Sequence, residues 1–176
     1  MIAPTATTVT VPRLARWMVV WFVVSAVIQI YDAVFVLLGP LSHAGGPLAG
    51  LWPGHLLYAQ FDHRYANFDA FGTAQSALNL VEAAALFWAV ARRRRFSGVV
   101  LGLIVSVATF WKTVLYFGVE ISSGLAMTRQ SVEDGNIAGF LGIAVLPNTF
   151  WLVIPACVII SLARRLVRLG DDLQRA

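Results

Sequence analysis

LVEAAALFWAVARRRRFSGVVLGLIVSVATFWK, residues 80–112, decides the architecture of this chain. It holds two apolar runs separated by four consecutive arginines, Arg92 to Arg95. Each run belongs to a stretch of about 20 residues or more, the length at which a helix crosses a bilayer. An uninterrupted block of like charge between two such stretches reads as a short loop held at a membrane surface.

Two further runs lie outward from this pair, so the apolar runs are 16–38, 72–91, 97–119 and 139–163. Of the 176 residues, 59% are hydrophobic and 12% charged, and the mean hydropathy is +0.75. A soluble domain of this length needs about twice that share of charge to coat its surface. The first run is longer than the ~7–15 apolar residues of a signal-peptide core and reads as a retained span. The expected fold is an all-α integral membrane protein: a four-transmembrane-helix bundle with an intramembrane polar pocket and both termini cytoplasmic.

The charges carry the orientation. Arg13 and Arg16 precede the first span, Arg92 to Arg95 join the second to the third, and Arg164, Arg165 and Arg168 follow the fourth. Four alternating helices put all three clusters on one side, and basic residues mark the cytoplasmic side. The net charge of +4 is thus a topology signal, and nucleic acid is not expected as a partner. Residues 1–14 read as a flexible N-terminus, 15–165 as the membrane domain and 166–176 as a cytoplasmic tail. In the 39–71 loop, GP, GGP and PG mark turns. HLLYAQFDHRY (55–65) suits a short amphipathic helix with Leu56, Leu57 and Phe61 on one side. The 120–138 loop reads as a short exposed connection. His43, His55 and His63 share one loop without the spacing of a zinc site, and the lone Cys157 falls in a span. No metal or other cofactor is expected.

Polar residues inside apolar helices need a reason, because a centred charge costs roughly 2.5–3.5 kcal/mol on insertion scales. Ser25, Gln29 and Asp32 lie on the first span with spacings of four and three, as do Gln75, Asn79 and Glu82 on the second. Such residues share one helical face. The third span offers Thr109, Lys112 and Thr113, the fourth Asn148 and Trp151. At ~1.5 Å per residue from the Arg-rich ends, Glu82 lies about 15 Å deep, Gln29 and Asn79 about 19 Å, Lys112 and Asn148 about 22 Å, and Asp32 about 24 Å. Four helices therefore place polar groups in one layer. Gln75, Ser25 and Thr109 are expected to bond neighbouring helices. Lys112 either neutralises Asp32 or Glu82 or snorkels outward along its stem. A buried carboxyl can stay protonated and act as an acid, and an indole face stabilises a cation. Acid, base and aromatic wall in a dry pocket suit proton-driven double-bond migration or cyclisation of an isoprenoid.

Four segments carry a family resemblance: YAQFDHRY (58–65), LVEAAALFW (80–88), VSVATFWKTVLYF (105–117) and NTFWLVIP (148–155). Together they resemble the EXPERA family, which includes the emopamil-binding-protein branch (sterol Δ8–Δ7 isomerases) and the sigma-2 receptor branch. The likeness spans about 15–165 and is nearer the isomerase branch. It implies Glu82 and Asp32 as catalytic carboxyls, Glu82 protonated at rest. It further implies a substrate-binding set of Gln29, Asn79, Lys112, Tyr116, Asn148 and Trp151, with Asp62, Arg64 and Tyr65 closing the pocket from the non-cytoplasmic side. Gln29 stands near where the isomerase has a catalytic His, Thr113 where it has Asp, and four spans stand for five. The implied activity is the shift of a sterol ring double bond from Δ8 to Δ7. The same scaffold could instead open or cyclise another terpenoid, or bind a lipid without chemistry. Implied partners are an isoprenoid lipid and the membrane, with homodimerisation left open. The implied location is the endoplasmic reticulum, or the inner membrane of a bacterium.

Overall fold

The computed structural model describes residues 12–67 and 69–175. Among these residues every regular element is helical. Helices α1 (Arg16–Leu37), α2 (Pro53–Tyr58), α3 (His63–Ala66), α4 (Ala70–Ala91), α5 (Phe96–Ser122), α6 (Ala126–Glu133), α7 (Ile137–Phe140) and α8 (Leu146–Arg175) follow in order. A π-helical turn, Leu141–Val145, joins α7 to α8. Among the described residues, four helices are long and apolar enough to cross a membrane: α1, α4, α5 and the run Ile137–Arg175. Their outward faces are greasy, with Val20, Val27, Val81, Ile104, Trp111, Phe150 and Val153 all more than half exposed. A soluble protein cannot afford that surface; a lipid solvent makes it neutral.

Helix α1 packs on α4, α4 on α5, and α5 on α8. The bundle closes at the Arg-rich end around a dry core of Met18, Phe22 and Ala26 from α1, Ala83, Leu86 and Ala89 from α4, Val99 and Val105 from α5, and Val158 and Leu162 from α8. Small residues let the helices approach. A side chain at Gly102 would meet the Phe22 ring at 2.8 Å. The core occupies one half of each helix, and the polar residues of the other half enclose a space rather than packing it shut.

The connections are more ordered than the sequence suggests. Residues 1–11 of the expected flexible segment lie outside the described residues. Leu14 is buried in the core, and its backbone N–H donates to the Arg93 carbonyl at 3.0 Å, so the start of α1 is tied to the arginine loop. The expected tail is helical: α8 runs on to Arg175, well past the expected end of the span at 163. The 55–65 segment breaks into α2 and α3 instead of forming one amphipathic helix. Asp62 causes the break by capping α3, its side chain accepting from the Arg64 and Tyr65 N–H groups. Leu56 packs towards Phe35 and Trp52, Phe61 packs on Met127 and Phe140, and Leu57 is exposed. The 120–138 loop is not a bare connection either. It contains α6, whose Met127 and Ser131 are buried, and Glu120 anchors it by accepting from Thr128 N at 3.0 Å. Helices α2, α3 and α6 roof the end of the bundle away from the arginines.

Candidate functional site

A cavity of about 650 Å³ lies beneath this roof, between α1, α4, α5 and α8. That volume is in the range of small-molecule pockets. Every expected site residue lines it except Glu82.

Asp32 is the hub of one side. One turn from the end of α1 proper, its carboxylate accepts from Tyr65 Oη and, at 2.8 Å, from Asn79 Nδ2. His55 Nε2 lies 3.4 Å from Asp32 Oδ1. Three elements thus converge on one carboxylate that is still partly open to the cavity, its side chain 29% exposed. Asn79 also accepts from Lys112 Nζ. Lys112 in turn pairs with Glu82 Oε1 at 2.9 Å, and Thr109 Oγ1 donates to Glu82 Oε2 at 2.8 Å. A chain of polar contacts therefore runs Thr109, Glu82, Lys112, Asn79, Asp32.

This arrangement revises the reading of Glu82. Both of its oxygens accept from neighbours, and Lys112 lines the cavity while Glu82 does not. Glu82 is the buried counter-charge of Lys112, not a free acid facing a ligand. Of the roles open to Lys112, pairing with Glu82 is the one realised, because the two side chains meet where α5 packs on α4. Gln75 and Thr109 bond across helices as expected, Gln75 Nε2 donating to the Lys112 carbonyl at 3.3 Å. Ser25 instead stays within its own helix, accepting from Gln29 Nε2 at 3.0 Å.

A second chain forms the opposite wall. Asn148 Nδ2 donates to Tyr58 Oη at 3.1 Å, the Tyr58 and Tyr116 hydroxyls are 2.7 Å apart, and Tyr116 donates to Asp62 Oδ2 at 2.7 Å. With Tyr116 spending its proton on Asp62, Tyr58 is the donor between the two phenols. Burial, then the nearby Asp62 charge, pushes the Tyr58 phenol up and keeps it a donor. Asp62 is 1% exposed and pairs with Arg64 Nε at 3.5 Å, while the Arg64 guanidinium lies 4.8 Å from the Tyr116 ring centroid.

Local backbone chemistry sets Asn148 and Trp151 in place. The π turn frees carbonyls, and two are met by side chains: Asn148 Nδ2 donates to Ala144 O at 2.7 Å and Thr149 Oγ1 to Val145 O at 3.0 Å. Pro155 has no N–H to return to the carbonyl of Trp151 four residues earlier, which loosens the helix at the cavity wall. Trp151 leans on Trp21, ring centroids 5.4 Å apart.

Two side chains that line the cavity lie outside the set expected from the sequence. His55 and Tyr58 lie in a loop helix one turn apart, and their signal was the polar face of HLLYAQF. Histidine spacing along the chain does not register the partner of His55, a carboxylate 23 residues away. Among the described residues no group of three or more metal-type ligands comes together.

No protein-family model matches this chain, and a comparison with curated proteins finds no match.

Proposed function

We propose that this is a membrane-embedded proton-transfer enzyme of the EXPERA type, acting on a sterol-like isoprenoid and moving a ring double bond. The observation that carries the reading is Asp32: a carboxylate inside the helical bundle, facing a cavity, and held by Tyr65, Asn79 and His55. A structural carboxyl would be paired and sealed, as Glu82 is. Asp32 stays open, and His55 gives it a titratable partner.

The chemistry needs no redox step. The Asp32–His55 pair shares one proton and delivers it to one carbon of the alkene, leaving a tertiary cation on the neighbouring carbon. The Trp151 indole offers that cation its negative face. Loss of a proton from the adjacent ring carbon to the pair forms the shifted double bond and restores the starting state. Asn79, braced by Lys112 and Glu82, fixes the Asp32 carboxylate. The arginine clusters support an orientation with both termini and the Arg92–Arg95 loop cytoplasmic and the roof and the Asp32 layer towards the other side. The resemblance of the four sequence segments supports the sterol class.

One observation favours a second reading. Glu82, the carboxyl implied as the acid, is taken up by Lys112, which suits a protein that binds an isoprenoid without converting it. Membranes containing the protein, given a Δ8 sterol in deuterated water, separate the two. A deuterated Δ7 sterol that vanishes with Asp32→Asn and falls sharply with His55→Ala establishes the enzyme. A Δ8 sterol that binds yet is never converted leaves the binding protein.

A further inference from the structure

The arginine end of the bundle holds a second concavity. A groove of about 420 Å³ lies between the start of α1 and the Arg92–Arg95 loop. Arg13 and Arg16 line it from one segment, Arg93 and Arg94 from the other. Its remaining walls are the apolar side chains of Leu14, Val19 and Val20. Backbone ties hold it in shape: Leu14 N–H donates to the Arg93 carbonyl at 3.0 Å, and Arg165 Nη1 to the Arg13 carbonyl at 2.9 Å. All four arginines of the groove are exposed, and no carboxylate answers them. The ion pairs among the described residues involve His55, Arg64 and Lys112. The acidic residues nearest this end in the chain, Asp171 and Asp172, stand near the C-terminal end of α8 and pair with none of the four. Residues 1–11 contain no Asp or Glu. A topology signal needs arginines on one side of the membrane; it does not need two distant segments to gather them around one groove.

From this we infer that the groove binds an anionic phospholipid. The guanidinium groups take the phosphodiester, whose charge and oxygen geometry match them. An acyl chain then runs along α1 over Val19 and Val20, which lie one turn deeper than Arg16. Val20 is 62% exposed, so that wall is open towards the lipid. Two tryptophans mark the same level as a headgroup boundary, where indoles gather. Trp17 is exposed beside Arg16, and Trp88 is exposed one turn before Arg92, whose guanidinium lies 5.5 Å from its ring centroid. A neutral lipid would leave the four charges unanswered, and a free phosphate would leave the apolar walls bare. The inferred orientation sets this end in the leaflet whose surface is anionic. The site is distinct from the Asp32 cavity and does not depend on the isoprenoid reading.

Native mass spectrometry of the purified full-length protein in detergent tests this with three probes: dioleoyl phosphatidylglycerol, dioleoyl phosphatidylcholine and glycerol 3-phosphate. One phosphatidylglycerol is expected to bind at least about tenfold more tightly than either of the others. Arg93→Gln with Arg94→Gln leaves the backbone tie to Leu14 in place and should weaken that lipid about thirtyfold, at about fivefold per arginine. Arg13→Gln with Arg16→Gln, from the other wall, should give the same loss, so the result does not hang on one variant folding. Arg164→Gln with Arg168→Gln removes as much charge from the same end but outside the groove, and should change binding by less than about threefold. Equal affinity for the two lipids, or equal losses from the groove and control pairs, overturns the inference and leaves only diffuse surface charge. Glycerol 3-phosphate binding as tightly as phosphatidylglycerol also overturns it, because the site would then serve a soluble phosphate compound.

Discussion

At the scale of single residues, the carboxyls of Glu82 and Asp32 have different fates, and the difference is their partners. Glu82 is 8% exposed and locked to Lys112; Asp32 is partly open and held by neutral donors and an imidazole. The pair at Glu82 predicts a stability effect. Lys112→Met leaves a buried carboxylate uncompensated and is expected to cost about 3 kcal/mol, read by denaturant unfolding in detergent. Glu82→Gln in that background is expected to restore most of the loss. If the double variant is as weak as the single one, the two groups are not a pair. At the cavity, Asp32→Asn keeps the shape and the Asn79 contact region but cannot take a proton, so ligand binding should persist while turnover falls at least a hundredfold. Tyr116→Phe removes the donor to Asp62 and is expected to destabilise the fold by about 1–3 kcal/mol, because it leaves a buried acceptor short of a partner. The polar stripes of the first two spans were readable from spacing, but which carboxyl met Lys112 was not. Lys112 stands within reach of both layers on its flexible stem, and only the crossing of α4 and α5 selects Glu82.

At the scale of elements, the roof is what separates a pocket from a water-filled crack. Helices α2, α3 and α6 contain few residues, and they are pinned by one cluster of Phe61, Met127, Phe140 and Ala144 and by the Asp62 and Glu120 caps. Deleting the Phe61 ring empties the centre of that cluster, a loss of about 3 kcal/mol in a well-packed core. Phe61→Ala should therefore speed amide exchange in 53–66 and 126–133 while leaving Met18 to Ala26 protected, since the dry core shares none of its contacts. Uniform acceleration would mean that roof and bundle unfold as one unit. The loop helix at 55–65 was visible as an amphipathic stretch, but its break was not. The break comes from Asp62 bonding two N–H groups of its own chain, a local competition that hydrophobic periodicity does not register.

At the scale of the whole molecule, each long helix is divided between a dry half and a polar half, and all four divide at the same level. That common division makes a cavity closed at the arginine end and roofed at the other. It also ties function to orientation. In a Cys157→Ser background, a cysteine placed at Arg94 should react with an impermeant reagent added from the cytoplasmic side only, and one at Gln130 from the opposite side only. The reverse pattern would invert the topology, and labelling of both sites from one side would break the four-span arrangement.

Hydropathy and charge along the chain were enough to set the number and rough position of the spans, the end at which the arginines gather and the shared layer of polar residues. These follow from hydropathy and from periodicities of 3.6, which are properties of one helix at a time. Packing between helices settled that Glu82 pairs with Lys112 and that His55 and Tyr58 reach the cavity from the roof. Those outcomes depend on distances between side chains on different helices, a few ångströms set by crossing and packing, and no pattern along the chain records them.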